Sequence, residues 1–205
     1  MIGVKRQQAY RSQRFLFERF CSRSNMDNLA RGADWRTVTD RKADQEQGIP
    51  AFAAWELLPG LRVTYTEDYV MGSSFAVAIS YLGEESLRTP IAFLSAHPNT
   101  LSPEDLITDF DSSSTDPRKM SAAVVRLGLG APLEEDERFS RRIIQCIGSS
   151  EADVRESAVW ASMCSEWVGF RDELVRVAEG DDDLFLRELA TEAVEKLDGI
   201  GADHP

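Results

Sequence analysis

An α+β fold, with a small antiparallel β-sheet followed by an α-helical repeat array, is what this 205-residue sequence predicts. Three observations carry the prediction. Strand signals run through residues 53–80, with period-two alternation at 61–66 and 75–80 and turn residues between the runs. Further on the chain repeats itself: Asp153, Arg155, Ala158 and Ala161 recur as Phe185, Arg187, Ala190 and Ala193, 32 residues later. An interleaved pattern, Phe139, Ile143, Ile144 and Ile147, recurs as Phe170, Leu174, Val175 and Ala178 at a spacing of 31. Two helical patterns alternating with a period of roughly 20–50 residues mark stacked hairpins, whose neighbours bury faces that none could bury alone.

Residues 1–47 read as a basic N-terminal extension and a polar linker. The first 25 residues hold Lys5, Arg6, Arg11, Arg14, Arg19 and Arg23 against the single acid Glu18, with Tyr10, Phe17, Phe20 and Cys21 near one helical face. Three readings stay open: a targeting presequence, a docked amphipathic helix, or an extension ahead of a start at Met26. A short helix is expected through Leu29, Ala30 and Ala33. Asp40 to Gln47 then lacks large apolar residues, and Gly48 and Pro50 close the segment.

Residues 48–101 carry the sheet. Ala53 to Leu58 leads into a Pro59-Gly60 turn, after which Leu61, Val63 and Tyr65 alternate with Arg62, Thr64 and Thr66. Phe75, Val77 and Ile79 alternate with the small Ala76, Ala78 and Ser80, which predicts a central strand buried on both faces. Ile91, Phe93 and Leu94 predict a further strand, opened by Pro90. With no helical pattern between them, these runs suit an antiparallel meander.

The array occupies residues 102–198. Ser102-Pro103-Glu104 and Asp116-Pro117 are helix starts, each with a capping side chain and a proline at the first helical position. Further helices are expected over 134–147, 151–165, 168–179 and 183–197, and Gly199 and Gly201 end the array before a tail, 199–205. On the doubled Arg-x-x-Ala-x-x-Ala pattern, about 80 residues of the C-terminal part resemble HEAT-like repeats. That resemblance implies a scaffold and not a reaction. It also implies that Arg155 and Arg187 each pair with an acid of the neighbouring repeat. Phe185 stands where the first copy has Asp153, a departure that leaves the partner of Arg187 open.

The net charge of −12 is unevenly spread: +5 on residues 1–25 and −17 on the rest. A surface of that sign repels nucleic acid and anionic lipid and attracts basic proteins. No apolar run approaches the roughly 18 residues of a membrane span. Cys21, Cys146 and Cys164 sit in apolar helical patterns, which suits buried thiols in a reducing, cytoplasmic compartment.

Signals for chemistry are sparse. The histidines are His97 and His204; no Gly-x-Ser-x-Gly elbow occurs, and Gly128-Leu129-Gly130 lacks the residues of a phosphate cradle. The acidic pairs Glu67-Asp68, Glu84-Glu85 and Glu104-Asp105 match no calcium loop. No catalytic residue, metal or cofactor is therefore expected. The runner-up reading is a hydrolase using His97 with Glu67 or Asp68, its site between sheet and array. The leading expectation is a non-catalytic protein-binding module. Asp181, Asp182 and Asp183, with Glu134 and Glu135 one hairpin earlier, predict a continuous negative ridge, and Trp160 and Trp167 predict aromatic anchors if exposed. In its sharper form this is a bacterial immunity-type or inhibitory protein that neutralises a basic toxin or nuclease through electrostatically steered binding.

Overall fold

The structure, a computed structural model, describes residues 8–18, 23–68, 72–113 and 115–203; Lys5, Arg6, Arg19, Phe20, Cys21, Ser114 and His204 lie outside the described residues. The fold is α+β, and the chain forms two units, Met1–Leu101 and Ser102–Pro205.

In the first unit, β1 (Tyr10–Arg11), β2 (Phe15–Leu16), β3 (Arg36–Arg41), β4 (Ala51–Leu58), β5 (Leu61–Asp68) and β6 (Ser73–Ser80) form one antiparallel sheet in the order β1-β6-β5-β4-β3, with β2 also on β6. Register places Trp55 opposite Val63 and Val63 opposite Ala78, and likewise Ala53 opposite Tyr65 and Tyr65 opposite Ala76. These side chains share one face and form a core with Phe15 and Phe17. Met26 and Ala30 of α1 (Arg23–Gly32) join it, as do Leu87 and Leu94 at the second helical segment, a 3-10 turn over Glu84–Leu87 running into α2 (Arg88–Ser95). The β4–β5 turn needs Gly60, whose φ of +88° would strain any residue carrying a Cβ.

Four expectations are corrected here. Residues 10–17 are not a loose extension: Phe15, Leu16 and Phe17 are buried and β1 and β2 pair with β6. Residues 26–47 are not a linker, since they contain most of α1 and all of β3. That strand escapes a periodicity search because it lies at the sheet edge and stays mostly exposed, so no apolar alternation is needed. Its charged side chains and the register shift between Thr37 and Thr39 are devices that discourage further strands from adding. Ile91 to Leu94 is helical, not extended: Leu87, Ile91 and Leu94 follow helical spacing onto the core, and Pro90 is tolerated in the first turn. Finally, central strand β6 buries its small residues. Ala76, Ala78 and Ser80 are fully covered, leaving room for Tyr65 and Trp55, while Phe75, Val77 and Ile79 are half-buried on the opposite face.

The second unit is helical: α3 (Pro103–Ser112), α4 (Pro117–Leu129), α5 (Glu137–Ile147), α6 (Ala152–Ser165), a 3-10 turn over Val168–Phe170, α7 (Arg171–Gly180) and α8 (Leu184–Asp203). The starts follow from their caps. Ser102 and Asp105 make a reciprocal capping box ahead of Pro103, and Asp116 accepts from the Arg118 amide at 3.0 Å ahead of Pro117. Recurring positions are buried alike: Phe139 and Ile143 match Phe170 and Leu174, and Ala158 and Ala161 match Ala190 and Ala193, all at 0 % exposure. The small residues serve close approach. A Cβ built on Gly128 of α4 would lie 2.4 Å from the Ala161 Cα and carbonyl oxygen, so the two backbones touch there.

Candidate functional site

The acidic character belongs to the helical unit. Residues 102–205 hold 24 acids against 11 Lys and Arg, a net −13, which leaves +1 for residues 1–101. Most of those cations are tied to their own unit's acids. Arg126 pairs with Asp109 (2.9 Å), Arg142 with Asp111 (2.7 Å), Arg138 with Asp136 (2.7 Å) and Glu104 (3.1 Å), and Arg171 with Asp198 (2.6 Å). Arg141 pairs with Glu137, Arg176 with Glu173 (2.6 Å) and Lys196 with Glu166 (3.6 Å). Arg126, Arg138, Arg142, Arg171 and Lys196 tie separate elements together, Arg141 and Arg176 pair within their own helices, and the excess outward charge is negative.

Arg155 makes the most enclosed of these clamps. Its Nε donates to Asp181 Oδ2 (2.7 Å) and its Nη2 to Asp181 Oδ1 (2.9 Å), while Nη1 donates to the Ser149 and Ser150 carbonyl oxygens (3.0 and 3.1 Å). The loop before α6 is thereby fastened to the loop before α8. The Arg155 guanidinium holds the Asp181 carboxyl below the usual aspartate value, as hydrogen bonds to the charged form must. Arg187, whose partner the sequence left open, donates to the Asp181 backbone carbonyl oxygen (2.5 Å) and not to a carboxylate. Asp183 caps α8 by accepting from the Phe185 amide at 2.9 Å.

These contacts redistribute the expected partner-binding residues. Asp181 is withdrawn from any external partner, its side chain 7 % exposed and both oxygens engaged. Asp182 and Asp183 remain exposed. Glu134 and Glu135 are exposed too, but they do not continue the Asp181–Asp183 ridge. The Glu135 carboxylate lies against Gly169, where a Cβ would meet its Oε2 at 2.6 Å, beyond the end of α6. Asp181 is fastened near the beginning of that same helix, whose 14 residues span about 20 Å at 1.5 Å each. The two acidic clusters therefore occupy different ends of the hairpins, because loops within a hairpin and loops between hairpins fall on opposite edges.

The aromatic expectation is corrected for Trp167. It is 4 % exposed, stacked on Phe170 (centroids 5.8 Å, 22°) and edge-on to Phe139 (6.4 Å), with Nε1 donating to the Pro132 carbonyl oxygen at 3.2 Å. A core tryptophan with a satisfied N–H has nothing left for a partner. Trp160 is half-buried. Sequence reasoning overlooked the exposed apolar pair at the start of α8, Leu184 at 60 % and Phe185 at 53 %. The available signal was Phe185 itself, an aromatic standing 32 residues after the exposed Asp153 in the recurring pattern.

In the sheet unit, His97 packs its ring edge-on against Phe17 (5.4 Å, 76°), and Nδ1 accepts from the Asn99 amide at 3.3 Å. Burial pushes its pKa below the usual histidine value. Glu67 is engaged elsewhere, its Oε1 accepting from Tyr65 Oη (2.9 Å) and the Arg23 amide (3.0 Å). The Cys146 thiol is buried and pushed up to about 11, which removes its reactivity at neutral pH. Among the described residues no group of three or more His, Cys, Asp or Glu could hold a metal ion, and no helix is long and apolar enough to cross a membrane. No protein-family model, curated protein or solved structure matches the chain.

Proposed function

We propose that the protein is a non-catalytic binding module whose acidic helical unit, a HEAT-like repeat array in this reading, docks a basic protein in a reducing, cytoplasmic setting. One observation carries it: residues 102–205 have a net charge of −13, and most of their cations are already engaged as clamps within the unit. Such a unit projects a negative field that steers cationic partners and repels nucleic acid and anionic membranes. The clamps add rigidity, so a partner meets a preformed surface and little ordering entropy is lost on binding. The sharper form is an immunity-type or inhibitory protein that covers the working surface of a basic toxin or nuclease.

The test has two stages. A partner captured by the full chain from its native cell is identified, purified and titrated back across a range of salt. The reading expects a basic partner whose affinity falls steeply with ionic strength, and whose own activity is lost at one equivalent of this protein. A partner that is acidic, or one held equally well in high salt, overturns the electrostatic reading; a partner left fully active overturns the inhibitory form.

A further inference from the structure

Resting on the binding-module reading, we propose that the exposed Leu184-Phe185 pair at the start of α8 is the anchor of the docking surface. The acids around it receive an arginine- or lysine-bearing segment of the partner. The pair is apolar, 60 % and 53 % exposed, and lies on the edge where Arg155 joins the loops before α6 and α8. Glu151 and Asp153 stand at the start of α6, Asp182 and Asp183 in the loop before α8, and Glu188 one turn along α8; all are exposed. The cations of this edge are occupied: Arg155 is locked on Asp181 and Arg187 donates to the Asp181 carbonyl oxygen. What the edge offers outward is an aromatic ring and a leucine, with exposed carboxylates along the same edge.

That combination selects its occupant. An arginine or lysine has an apolar stem, which fits against Leu184 and Phe185, and a charged head, which reaches those carboxylates. A guanidinium over the Phe185 ring adds a cation–π contribution that strengthens as water is excluded. An acidic or purely apolar segment would leave the carboxylates desolvated without a partner. The opposite edge also pairs apolar with acidic residues, Leu133 and Val168 with Glu134 and Glu135, but the rings there, Trp167 and Phe170, are buried. Aromatic anchors carry a disproportionate share of interface energy.

The experiment titrates the full chain with a synthetic peptide of arginine, leucine and glycine, beside the same peptide with glutamate for arginine. Phe185→Ala is expected to weaken binding of the cationic peptide about tenfold, and Asp153→Asn with Asp182→Asn to reduce its salt dependence. Leu133→Ala and Glu134→Gln should leave affinity within about twofold. Because Phe185 is exposed, its variant is expected to keep the wild-type melting temperature, which is checked in parallel. If Phe185→Ala binds normally, or the Leu133 and Glu134 variants carry the loss, the anchor lies elsewhere and only the placement fails. If the cationic peptide binds no better than its acidic counterpart, the placement and the binding-module reading fail together.

Discussion

Arg155 and Asp181, 26 residues apart in sequence, close a two-pronged ion pair whose side chains are only 17 % and 7 % exposed, and through it the loops of successive hairpins become one edge. Arg155→Ala leaves an enclosed carboxylate without its cation and two loop carbonyls without a donor. The expected loss is about 2–4 kcal/mol by urea unfolding, below the cost for a fully buried pair because the guanidinium still touches water. The pH dependence has a definite sign. The folded pKa of Asp181 is depressed, so its stabilisation is complete above the unfolded value of about 3.9 and is lost as pH falls through the folded value. Asp181→Asn should therefore flatten the acid limb of the stability curve below about pH 4. A mutant curve parallel to wild type down to pH 2 would show that the pair adds nothing.

The contact of Gly128 with Ala161 makes a second prediction. In an exposed helix Gly→Ala stabilises by about 1 kcal/mol, but here the new Cβ would fall 2.4 Å from backbone atoms of Ala161, which cannot rotate away. Gly128→Ala should destabilise by about 2–3 kcal/mol, and Ala161→Leu by about 1–3 kcal/mol or more, through overpacking. A thermal shift upward in Gly128→Ala would mean that α4 and α6 do not touch backbone to backbone at Gly128 and Ala161.

Features decided locally were readable from residues. Ser102 with Asp105, and Asp116 ahead of Pro117, specify helix starts whatever surrounds them, and the recurring alanines announce close packing because only small residues permit it. Features decided by tertiary contact were not. β3 owes its extended form to pairing with β4, and its polar side chains carry no period. β1 and β2 are two residues each, too short for any pattern, and the spacing of Tyr10, Phe17, Phe20 and Cys21 suggests an amphipathic helix instead. At the candidate site, charge and loop position singled out Asp182 and Asp183, but the inward turn of Asp181 depends on Arg155, and the burial of Trp167 depends on Phe139 and Phe170. A recurring pattern tells which positions correspond without telling which edge each loop joins, and Glu134 and Glu135 lie on the edge opposite Asp181.

Trp167 provides a test that separates packing from binding. Trp167→Phe keeps a ring against Phe170 but leaves the Pro132 carbonyl without its indole donor, which should cost about 1 kcal/mol plus the lost volume. Trp167→Ala should cost about 3–5 kcal/mol. Neither variant, under conditions where it remains folded, should alter partner affinity. A Trp167→Phe protein with wild-type stability and weakened binding would restore this residue to the interface.

The start of the chain supplies the last prediction. A protein beginning at Met26 lacks Phe15, Leu16 and Phe17, which are 5 %, 2 % and 3 % exposed. Burying each contributes about 1.5–3 kcal/mol, so removing all three costs on the order of 5–9 kcal/mol before hydrogen bonds are considered. Those bonds include Ser12 N to the Ala78 oxygen (2.9 Å) with the return bond from Ala78 N to Ser12 Oγ (3.0 Å), and Leu101 N to the Leu16 oxygen (2.8 Å). Whole domains are commonly stable by only about 5–15 kcal/mol. The shortened chain should therefore lose protection from hydrogen exchange at the amides of β5 and β6 and bind a dye for exposed apolar surface, whereas Lys or Arg substitutions among the exposed residues of β3 should do neither. If the Met26 chain instead melts at the full-length temperature with β6 still protected, β1 and β2 are dispensable attachments to the sheet and its core closes without them.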